Sequence, residues 1–564
     1  MIFLRSGRRS SRHLSPHFSL FAAALSLTAT LAACGGDEDG DATSTSPSTS
    51  SSAGGAGGES GAGGGGGASS GFHLSGKLSY EYVAYAASGD GLDYSTLGAR
   101  PIRGATVLLL NAQDGAELAK TAAADDGTYS FSYDGVDRVK LWVLTETEAP
   151  LITVEDNTDG DAVYVLETFD VESGPGAVLD VMATAGWGGS SYTGPRFSAP
   201  FAILDAAYRS ARRFLDEVSP APNLPPLKIN WSVDNRPEDG DVEAGQITTS
   251  HWDDKELYVL GKEDVDTDEF DSHVIVHEWG HYFEGKVSRS ENPGGSHGYG
   301  DVLDPRIAWS EGFCNALSAM ILDPETAYTD SYGQGQADGF SDDMEKNDIS
   351  LQSSPGWFSE TSVQAIAFDL YDGANEPFDK VAVGIPGIYS VMVGGHKSSA
   401  ALTTLFSFVA ALKAQGGASA AAIDAIVTHH SNNSVFGVDS IQDEWGKGET
   451  HGGGVASSLP VYVSAAIGSS HKVTLLGGGE FNSLGQSRFL RFPGDGAPVT
   501  ITSASSADVD LYVFERGVTL AKAESFSGNE TVKLNTKAGE TYVLNVMGYH
   551  DVAASYSVDV VIKH

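Results

Sequence analysis

Residues 273–284, HVIVHEWGHYFE, place titratable side chains inside an apolar run of helical character. Buried ionisable groups cost free energy unless another group pairs with them. His277 and His281 are four residues apart, so they lie on one helix face with about 5–6 Å between their β-carbons. Two imidazoles at this spacing can bind one metal ion. The chain is therefore expected to bury this helix with an ion bound to its histidines.

Glu278 directly follows the first of these histidines and projects beside the expected ion. Zinc lowers the pKa of a bound water and polarises a carbonyl group. A neighbouring carboxylate can take the proton of that water and later pass it to the leaving amine. The motif therefore predicts a hydrolytic zinc centre in which Glu278 is the general base and acid.

A catalytic zinc site needs a third protein ligand and an open fourth position. The stretch PRIAWSEGFCNALSAMI, which begins at Pro305, predicts a second helix. Between His281 and Glu311 lie 29 residues, enough for this second helix to return antiparallel to the first. That return would point Glu311 at the metal.

The motif HEWGH followed by SEGF resembles the gluzincin metallopeptidases, the clan of thermolysin and the membrane alanyl aminopeptidases. The resemblance implies a zincin-like α+β domain with three zinc ligands, namely His277, His281 and Glu311. It also implies that Glu278 is catalytic and that Asn315 accepts from the outer nitrogen of His277. The exopeptidase motif of the aminopeptidases is not apparent, which favours an endopeptidase that acts on proteins or peptides. The loop between the two helices is longer than in those aminopeptidases.

That loop, SENPGGSHGYGDVLDP, contains His297, for which the sequence leaves three roles open. His297 stabilises the oxyanion, replaces Glu311 as third ligand, or is a loop histidine bonded to backbone. Three tyrosines are further candidates for stabilising the transition state, and no spacing rule ranks them. They are Tyr328, Tyr332 and Tyr371.

Other histidines are predicted to be structural. His273 is expected to be packed or capped, and His429 and His430 end a helix, where a cation suits the negative dipole end. A metzincin site is excluded, because it requires glycine and histidine at the positions of Glu284 and Val287.

The segments around the motif predict helices and short strands. A helix capped by Ser198 is followed by the strand-like stretches LKINWSV and ELYVLG. Thr267 is predicted to cap the motif helix, so that Asp268, Glu269 and Asp271 lie early in it, near the positive dipole end. More helices are predicted after the second motif helix, and this order is the one expected in a zincin.

The N-terminus predicts export. Four arginines precede the apolar stretch FSLFAAALSLTATLAAC, which is shorter than a membrane-spanning helix, so residues 1–33 are predicted to be a signal peptide. The ending LAACG resembles a bacterial lipobox, which implies that Cys34 is diacylated and tethers the protein to the bacterial outer membrane or cell surface. A plain cleaved signal peptide is the alternative and would give a secreted protein. Cys314, the other cysteine, then lacks a disulfide partner.

Composition and the pattern of predicted strands divide the chain into domains. Residues 34–71 form a Gly/Ser-rich linker. Alternating strands follow in residues 72–190, where PIRGATV and DGTYSF resemble the carboxypeptidase regulatory-like sandwich. The zinc domain spans residues 191–455, and strands return in residues 456–564, where DVDLY and GETY resemble the bacterial pre-peptidase C-terminal domain. The fold class is therefore multidomain, with an α+β zincin-like domain flanked by two β-sandwiches.

Charge limits the partners. A formal net charge of −41 repels phosphate backbones and anionic lipids, so nucleic acid is excluded and the membrane is contacted through the lipid anchor only. Calcium is a second candidate ion for four aspartates, but the first two lack an EF-hand loop pattern and a solvated face is favoured for them, while a turn-stabilising role is equally open for the last two. They are Asp369, Asp372, Asp508 and Asp510. The sequence does not indicate an oligomeric state.

The sequence thus predicts a surface-tethered zinc metallopeptidase. Two alternatives from other classes stay open. One is a metal-free or inactive surface adhesin whose sandwiches bind a protein or glycan, and the other is a zinc hydrolase that acts on a non-peptide substrate.

Overall fold

The computed structural model describes residues 71–89, 91–346, 354–373, 376–431, 441–478, 481–549 and 552–564, and the backbone of two short strands, Phe3–Ser6 and Ala32–Ala33. Cys34 and nearly all of the predicted linker lie outside the described residues. Among the helices that are described, none has both the length and the apolar character needed to cross a bilayer.

A five-stranded sheet is built around the long strand Phe72–Tyr85. Its side chains bury alternately, as a sheet covered on one face requires. The strands that pair with it are Leu92–Pro101, Thr128–Tyr133, Ala177–Val178 and Val181–Ala183.

A ten-stranded sheet packs against the first sheet and crosses the predicted boundary at residue 190. Leu227–Trp231, from the predicted zinc domain, pairs parallel with Leu151–Asp156, from the predicted sandwich. One hydrophobic core continues through both regions. The main strands run in the order His251–Trp252, Leu257–Val259, Leu227–Trp231, Leu151–Asp156, Ala162–Glu167, Arg138–Glu148, Ala105–Asn111 and Glu117–Ala122. Phe3–Ser6 pairs with Ala162–Glu167, and Val171–Glu172 pairs with Arg138–Glu148.

Seven α-helices are described: α1 Ala199–Glu217, α2 Ser272–Lys286, α3 Pro305–Leu322, α4 Glu360–Tyr371, α5 Gly384–Val391, α6 Leu405–Gln415 and α7 Ala420–His430. A π-helical turn, Met392–His396, follows α5. Short 3₁₀ turns are Asn157–Asp159, Val242–Ala244, Gln334–Gln336, Met344–Lys346 and Ala456–Ser458. The beginnings of α1 after Ser198 and of α3 at Pro305 agree with the prediction, but the Ser198 side chain makes no capping hydrogen bond.

The predicted start of the motif helix is wrong. Thr267 lies in a short strand, and α2 begins at Ser272 with Asp271 as its N-cap residue. The acids at 268 and 269 therefore precede the helix and do not lie in its first turn. The small sheet that holds this segment consists of Gly261–Lys262, Asp266–Thr267, Ala327–Tyr332 and Asp338–Asp343.

The C-terminal strands form a sandwich with a hydrophobic core of its own. One sheet contains Tyr462–Ser464, Ser487–Pro493, Thr541–Gly548, Val509–Glu515 and Val518–Ala523. The other contains Ser469–Leu475, Tyr556–Lys563, Pro498–Ala504 and Thr531–Asn535. The protein is therefore multidomain, with extensive β-sheets and a helical region between them.

Candidate metal centre

Helices α2 and α3 pack side by side and run antiparallel. Residues of increasing number along α2 contact residues of decreasing number along α3, as expected for the antiparallel return that the interval between the two motifs allows. The contacts are His273 with Ser318, His277 with Asn315 and His281 with Glu311. A β-carbon at Gly280 would lie 2.8 Å from Cys314 Sγ, so glycine permits this close approach.

Three ligand-type atoms converge where the helices meet. His277 Nε2 lies 3.1 Å from His281 Nε2, and Glu311 Oε2 lies 3.2 Å from the first and 3.3 Å from the second. All three side chains are buried, Glu311 with only 1% of its surface exposed. Two histidines from α2 and one carboxylate from α3 thus surround one point.

These distances fit a metal ion. In a tetrahedral zinc site with bonds of about 2.0–2.1 Å, neighbouring ligand atoms are roughly 3.3–3.4 Å apart. The separations of 3.1–3.3 Å are close to that edge length. The donor set, two imidazole nitrogens and a carboxylate oxygen, is also the set that zinc accepts in catalytic sites.

The outer nitrogens of the two histidines are held by hydrogen bonds. His277 Nδ1 donates to Asn315 Oδ1 at 2.7 Å, the contact expected from the sequence. His281 Nδ1 lies 3.2 Å from Ser310 Oγ, and the Ser310 hydroxyl donates to Glu284 Oε2 at 2.5 Å. A proton on Nδ1 leaves the Nε2 lone pair directed at the shared point.

Glu278 lies beside the same point and contacts an edge strand. One of its oxygens, Oε2, accepts from the backbone N–H of Trp252 at 2.9 Å. Trp252 belongs to the strand His251–Trp252, which is the outermost strand of the ten-stranded sheet and runs antiparallel to Leu257–Val259. The carboxylate is therefore oriented between the helix and the sheet edge.

His297 joins the cluster from the loop between the helices. Its Nε2 lies 3.5 Å from Glu311 Oε2, and its Nδ1 donates to Glu360 Oε2 at 3.1 Å. The side chain is buried, and among the described residues its ring makes no hydrogen bond to backbone, which argues against the role of a loop histidine bonded to backbone. Both remaining roles, ligand and oxyanion donor, are compatible with this position.

Helix α4 supplies a residue that sequence reasoning missed. Glu360 Oε1 accepts from Asn315 Nδ2 at 2.7 Å while its other oxygen accepts from His297, so one carboxylate positions two imidazoles. Gln364, one turn later, also accepts from Asn315 at 3.1 Å. The available signal was a pair of polar residues four apart, Glu360 and Gln364, which lie on one face of this helix as the two histidines of α2 do.

Charge within the cluster is strongly coupled. Burial lowers the pKa of His297, but the carboxylates of Glu311 and Glu360 outweigh burial and raise that pKa to about 9. Burial raises the pKa of Glu311, but His297 and His281 lower it well below its ordinary value. Burial lowers the pKa of His281, and the neighbouring Cys314 and Glu311 raise it well above its ordinary value. The site is thus a pocket of opposed charges that a bound cation would reorganise.

The other predicted residues lie apart from the cluster or beside it. His273 donates or accepts at Ser318, and burial lowers its pKa to about 3, which agrees with a packed histidine. His430 pairs with Asp369 at 2.6 Å, while the His429 ring stacks on Phe378. Both agree with structural roles.

Of the three candidate tyrosines, Tyr328 lies nearest the cluster, with its ring 6.0 Å from the His277 ring. Tyr371 instead donates to the Met320 carbonyl oxygen. Tyr332 pairs in register with Asp266 and Asp338 in the small sheet. Asn292, which sequence reasoning also missed, donates to Glu311 Oε1 at 2.8 Å.

Comparison with protein families identifies one match. Residues 226–431 match the family described as the Mycolysin C-terminal domain, and this region contains both α2 and α3. The match relates just over a third of the chain to a metallopeptidase family. No curated protein matches the chain.

Three solved structures are similar to parts of the fold. The pre-peptidase C-terminal domain of collagenase from Bacillus anthracis is 14% identical, with a TM-score of 0.16, over 18% of this chain and 94% of that one. PliG of Salmonella Typhimurium, a periplasmic inhibitor of g-type lysozyme, is 18% identical, with a TM-score of 0.14, over 18% and 98%. A 9R-lipoxygenase from Cyanothece is 11% identical, with a TM-score of 0.13, over 26% and 23%. With TM-scores this low, the likenesses support no statement about function.

Proposed function

We propose that the protein is a zinc-dependent endopeptidase whose metal is held by His277, His281 and Glu311. The observation that carries the proposal is the convergence of two imidazole nitrogens and one carboxylate oxygen within 3.3 Å of one another. The metallopeptidase family match over residues 226–431 supports the reaction class. The zincin-like character of the domain is part of the same proposal.

Bound zinc supplies a Lewis acid that polarises the scissile carbonyl and acidifies water. Glu278 accepts the proton of the attacking water and then donates it to the leaving amine. The Trp252 N–H holds one oxygen of that carboxylate in place, so Glu278 is oriented before substrate arrives. Asn315 keeps the proton of His277 on Nδ1, which preserves Nε2 for the metal.

His297 is proposed to act on the reacting carbonyl oxygen. Glu360 fixes the Nδ1 side of the ring, and Nε2 faces Glu311 at the edge of the cluster. A donor held in this way can stabilise the charge that develops on the oxygen in the transition state. The alternative role, third zinc ligand in place of Glu311, makes a different prediction for metal content.

The substrate class is proposed from the sheet edge. The strand His251–Trp252 is outermost in its sheet and reaches the catalytic carboxylate. An extended peptide can pair with such an edge through main-chain hydrogen bonds, which suits a protein or peptide substrate. A covering strand beyond His251–Trp252 is not found among the described residues.

Export and lipid anchoring complete the proposal. The N-terminal arginines, the short apolar stretch and Cys34 support a lipoprotein exported to the bacterial outer membrane or cell surface. The net charge of −41 supports contact with the membrane through the anchor only, and not with nucleic acid.

The test combines zinc analysis with digestion of a proteome-derived peptide library by the purified chain. Wild type and Glu278→Gln should each retain about one zinc after mild dialysis, because Glu278 is not a ligand. Wild type should cleave internal peptide bonds, and Glu278→Gln should lose on the order of 10² to 10⁴ in rate.

Each other result contradicts a separate part of the proposal. Absence of stoichiometric zinc from wild type would favour an inactive adhesin. Zinc without any peptide cleavage would favour a hydrolase for another substrate. Near-normal activity of Glu278→Gln would show that another group moves the proton.

A further inference from the structure

A second group of carboxylates lies next to α2, outside the proposed zinc site. One oxygen from each of Asp266, Asp268 and Asp330 lies within 4.8 Å of the others. Asp266 and Asp330 come from two strands of the small sheet, and Asp268 lies in the segment that leads into α2. Asp271, the N-cap residue of α2, is a fourth acid in the same segment.

Asp268 and Asp271 are buried, whereas Asp266 and Asp330 are partly exposed. Asp268 is 3% exposed and Asp271 is 1% exposed, and each has an Oδ1 atom with no hydrogen-bond partner among the described residues. Oδ1 of Asp266 likewise has no donor among the described residues, and the Asp266 and Asp268 side chains are close enough to share a proton. The second oxygen of Asp268 accepts from the Ser250 hydroxyl, and that of Asp271 accepts from Ser331 at 2.5 Å. Buried, unsatisfied carboxylate oxygens are costly, so they indicate a missing partner.

No cationic side chain supplies that partner. Within the described part of the chain, Asp266, Asp268, Asp271 and Asp330 take part in no ion pair. Burial and then the charges of Asp268, Asp330 and Asp271 raise the pKa of Asp266 well above its ordinary value. Burial raises the pKa of Asp330 to about 7. The carboxylates therefore repel one another unless protons or a cation neutralise them.

We propose that Asp266, Asp268 and Asp330 bind a calcium ion, with Asp271 as an additional carboxylate at the site. Calcium takes six to eight oxygen ligands in flexible geometry, and carboxylates are its common protein ligands. The group contains oxygen donors only, whereas zinc sites are built mainly from nitrogen and sulfur. The unpartnered oxygens of Asp266 and Asp268 are the donors that a hard cation would satisfy.

The position gives the ion a structural role. It would link the strands Asp266–Thr267 and Ala327–Tyr332 to the segment that enters α2. The N-cap residue of α2 lies in that segment, six positions before the first proposed zinc ligand. Calcium would therefore fix the start of the helix that carries both histidines, although its binding does not depend on zinc or on catalysis.

The test uses calcium itself as the probe. Purified zinc-loaded protein in calcium-free buffer is titrated with calcium, and bound ion and thermal unfolding are both measured. The variants are Asp268→Asn and Asp330→Asn, which remove one charge each and keep the side-chain shape. Asp264→Asn is the matched control, because Asp264 is an exposed acid in the same segment.

Wild type and Asp264→Asn should bind one calcium ion more than Asp268→Asn and Asp330→Asn, or bind it at least tenfold more tightly. Calcium should raise the unfolding temperature of the first pair more than that of the second. Both site variants should fold in calcium-free buffer, because asparagine removes a repelling charge. Equal calcium stoichiometry and affinity in all four proteins would overturn the proposal, as would failure of both site variants to fold. Calcium binding is read without substrate, so this result is independent of the proposed peptidase activity.

Discussion

Glu311 and His297 approach the same point from different supports. Glu311 lies on α3, and its Oε1 is held by Asn292 while Oε2 faces the two histidines of α2. His297 comes from a loop, but Glu360 holds its Nδ1. The loop position alone therefore gives no reason to reject His297 as a ligand. Glu311 is favoured over His297 because its Oε2 lies within 3.3 Å of Nε2 of both His277 and His281.

At the residue scale, the two candidates for third ligand can be separated by metal content. Glu311→Ala should lower zinc affinity by at least roughly 10- to 100-fold, the effect already typical of residues that only support a ligand. His297→Ala should keep zinc and lower the rate of turnover. Metal analysis of dialysed protein measures the first effect, and kcat measures the second. Glu325→Ala is the control, because it removes an exposed carboxylate close to the end of α3.

The opposite pattern would exclude the present ligand set. Zinc lost from His297→Ala and retained in Glu311→Ala would indicate a three-histidine centre. The resemblance to gluzincins would then fail at its third ligand.

At the element scale, close packing of α3 on α4 brings Asn315 within hydrogen-bonding distance of Glu360 and Gln364. A β-carbon at Gly312 would lie 2.7 Å from the Glu360 carbonyl oxygen and 3.0 Å from the Gln364 backbone nitrogen. Backbone atoms cannot move aside cheaply. Gly312→Ala should therefore separate the helices and destabilise the protein by about 1–3 kcal/mol.

The control for this substitution lies on α2. A β-carbon at Gly285 would lie 3.6 Å from Trp252 Nε1, an ordinary contact, so Gly285→Ala should be neutral or stabilising by up to about 1 kcal/mol. The midpoint of unfolding at fixed zinc concentration compares the two variants. Equal midpoints would mean that α4 can shift without cost, and α4 would then not position the site.

Local patterns predicted many elements of this fold. Alternating burial along Thr128–Tyr133 and helical spacing in α1 and α3 depend on neighbouring residues, so they could be read from the sequence. The parallel pairing of Leu227–Trp231 with Leu151–Asp156 could not, because strands far apart in the chain carry no local signal of their partner. The predicted start of α2 was wrong because acids just before a helix have two explanations. They can lie in its first turn, near the positive dipole end, or they can form a carboxylate cluster outside the helix, as they do here.

The candidate site divides in the same way. His277, His281, Glu311 and Asn315 have fixed spacings on two helices, and the structure brings their side chains together. Glu360 belongs to a third helix, and its contact with His297 depends on tertiary packing that spacing does not encode.

At the scale of the whole molecule, the proposed lipid anchor at Cys34 can be tested by substitution. Cys34→Ala should release a soluble form or leave an unprocessed precursor, because the acyl chains that hold the protein at the membrane would be missing. Fractionation of cells into membrane and soluble parts measures the change. Cys314→Ala is the control, because it removes a buried thiol and leaves the anchor intact. Unchanged partitioning with normal processing of Cys34→Ala would contradict the lipobox assignment.

The C-terminal sandwich contacts the loop that carries His297. The Asn482 side chain donates to the carbonyl oxygens of Gly294 and Ser296 at 2.9 and 3.2 Å. Its backbone carbonyl accepts from the Asp304 N–H at 2.8 Å. The sandwich has a separate core, yet one of its loops holds both sides of the loop that carries His297.

Asn482→Gly should therefore slow catalysis without removing zinc. Asn482 has a positive φ of 63°, which glycine adopts without strain, so the substitution removes the side-chain hydrogen bonds and keeps the backbone conformation. The two lost bonds together contribute about 1–3 kcal/mol to holding the loop, so kcat should fall by at most roughly 5- to 160-fold. Asn529→Gly, at an exposed turn of the same sandwich, should leave kcat unchanged. Because His277, His281 and Glu311 lie on α2 and α3 and not on this loop, zinc content should equal that of wild type. A parallel loss of zinc and activity would mean that the loop holds a ligand, and His297 would then be that ligand.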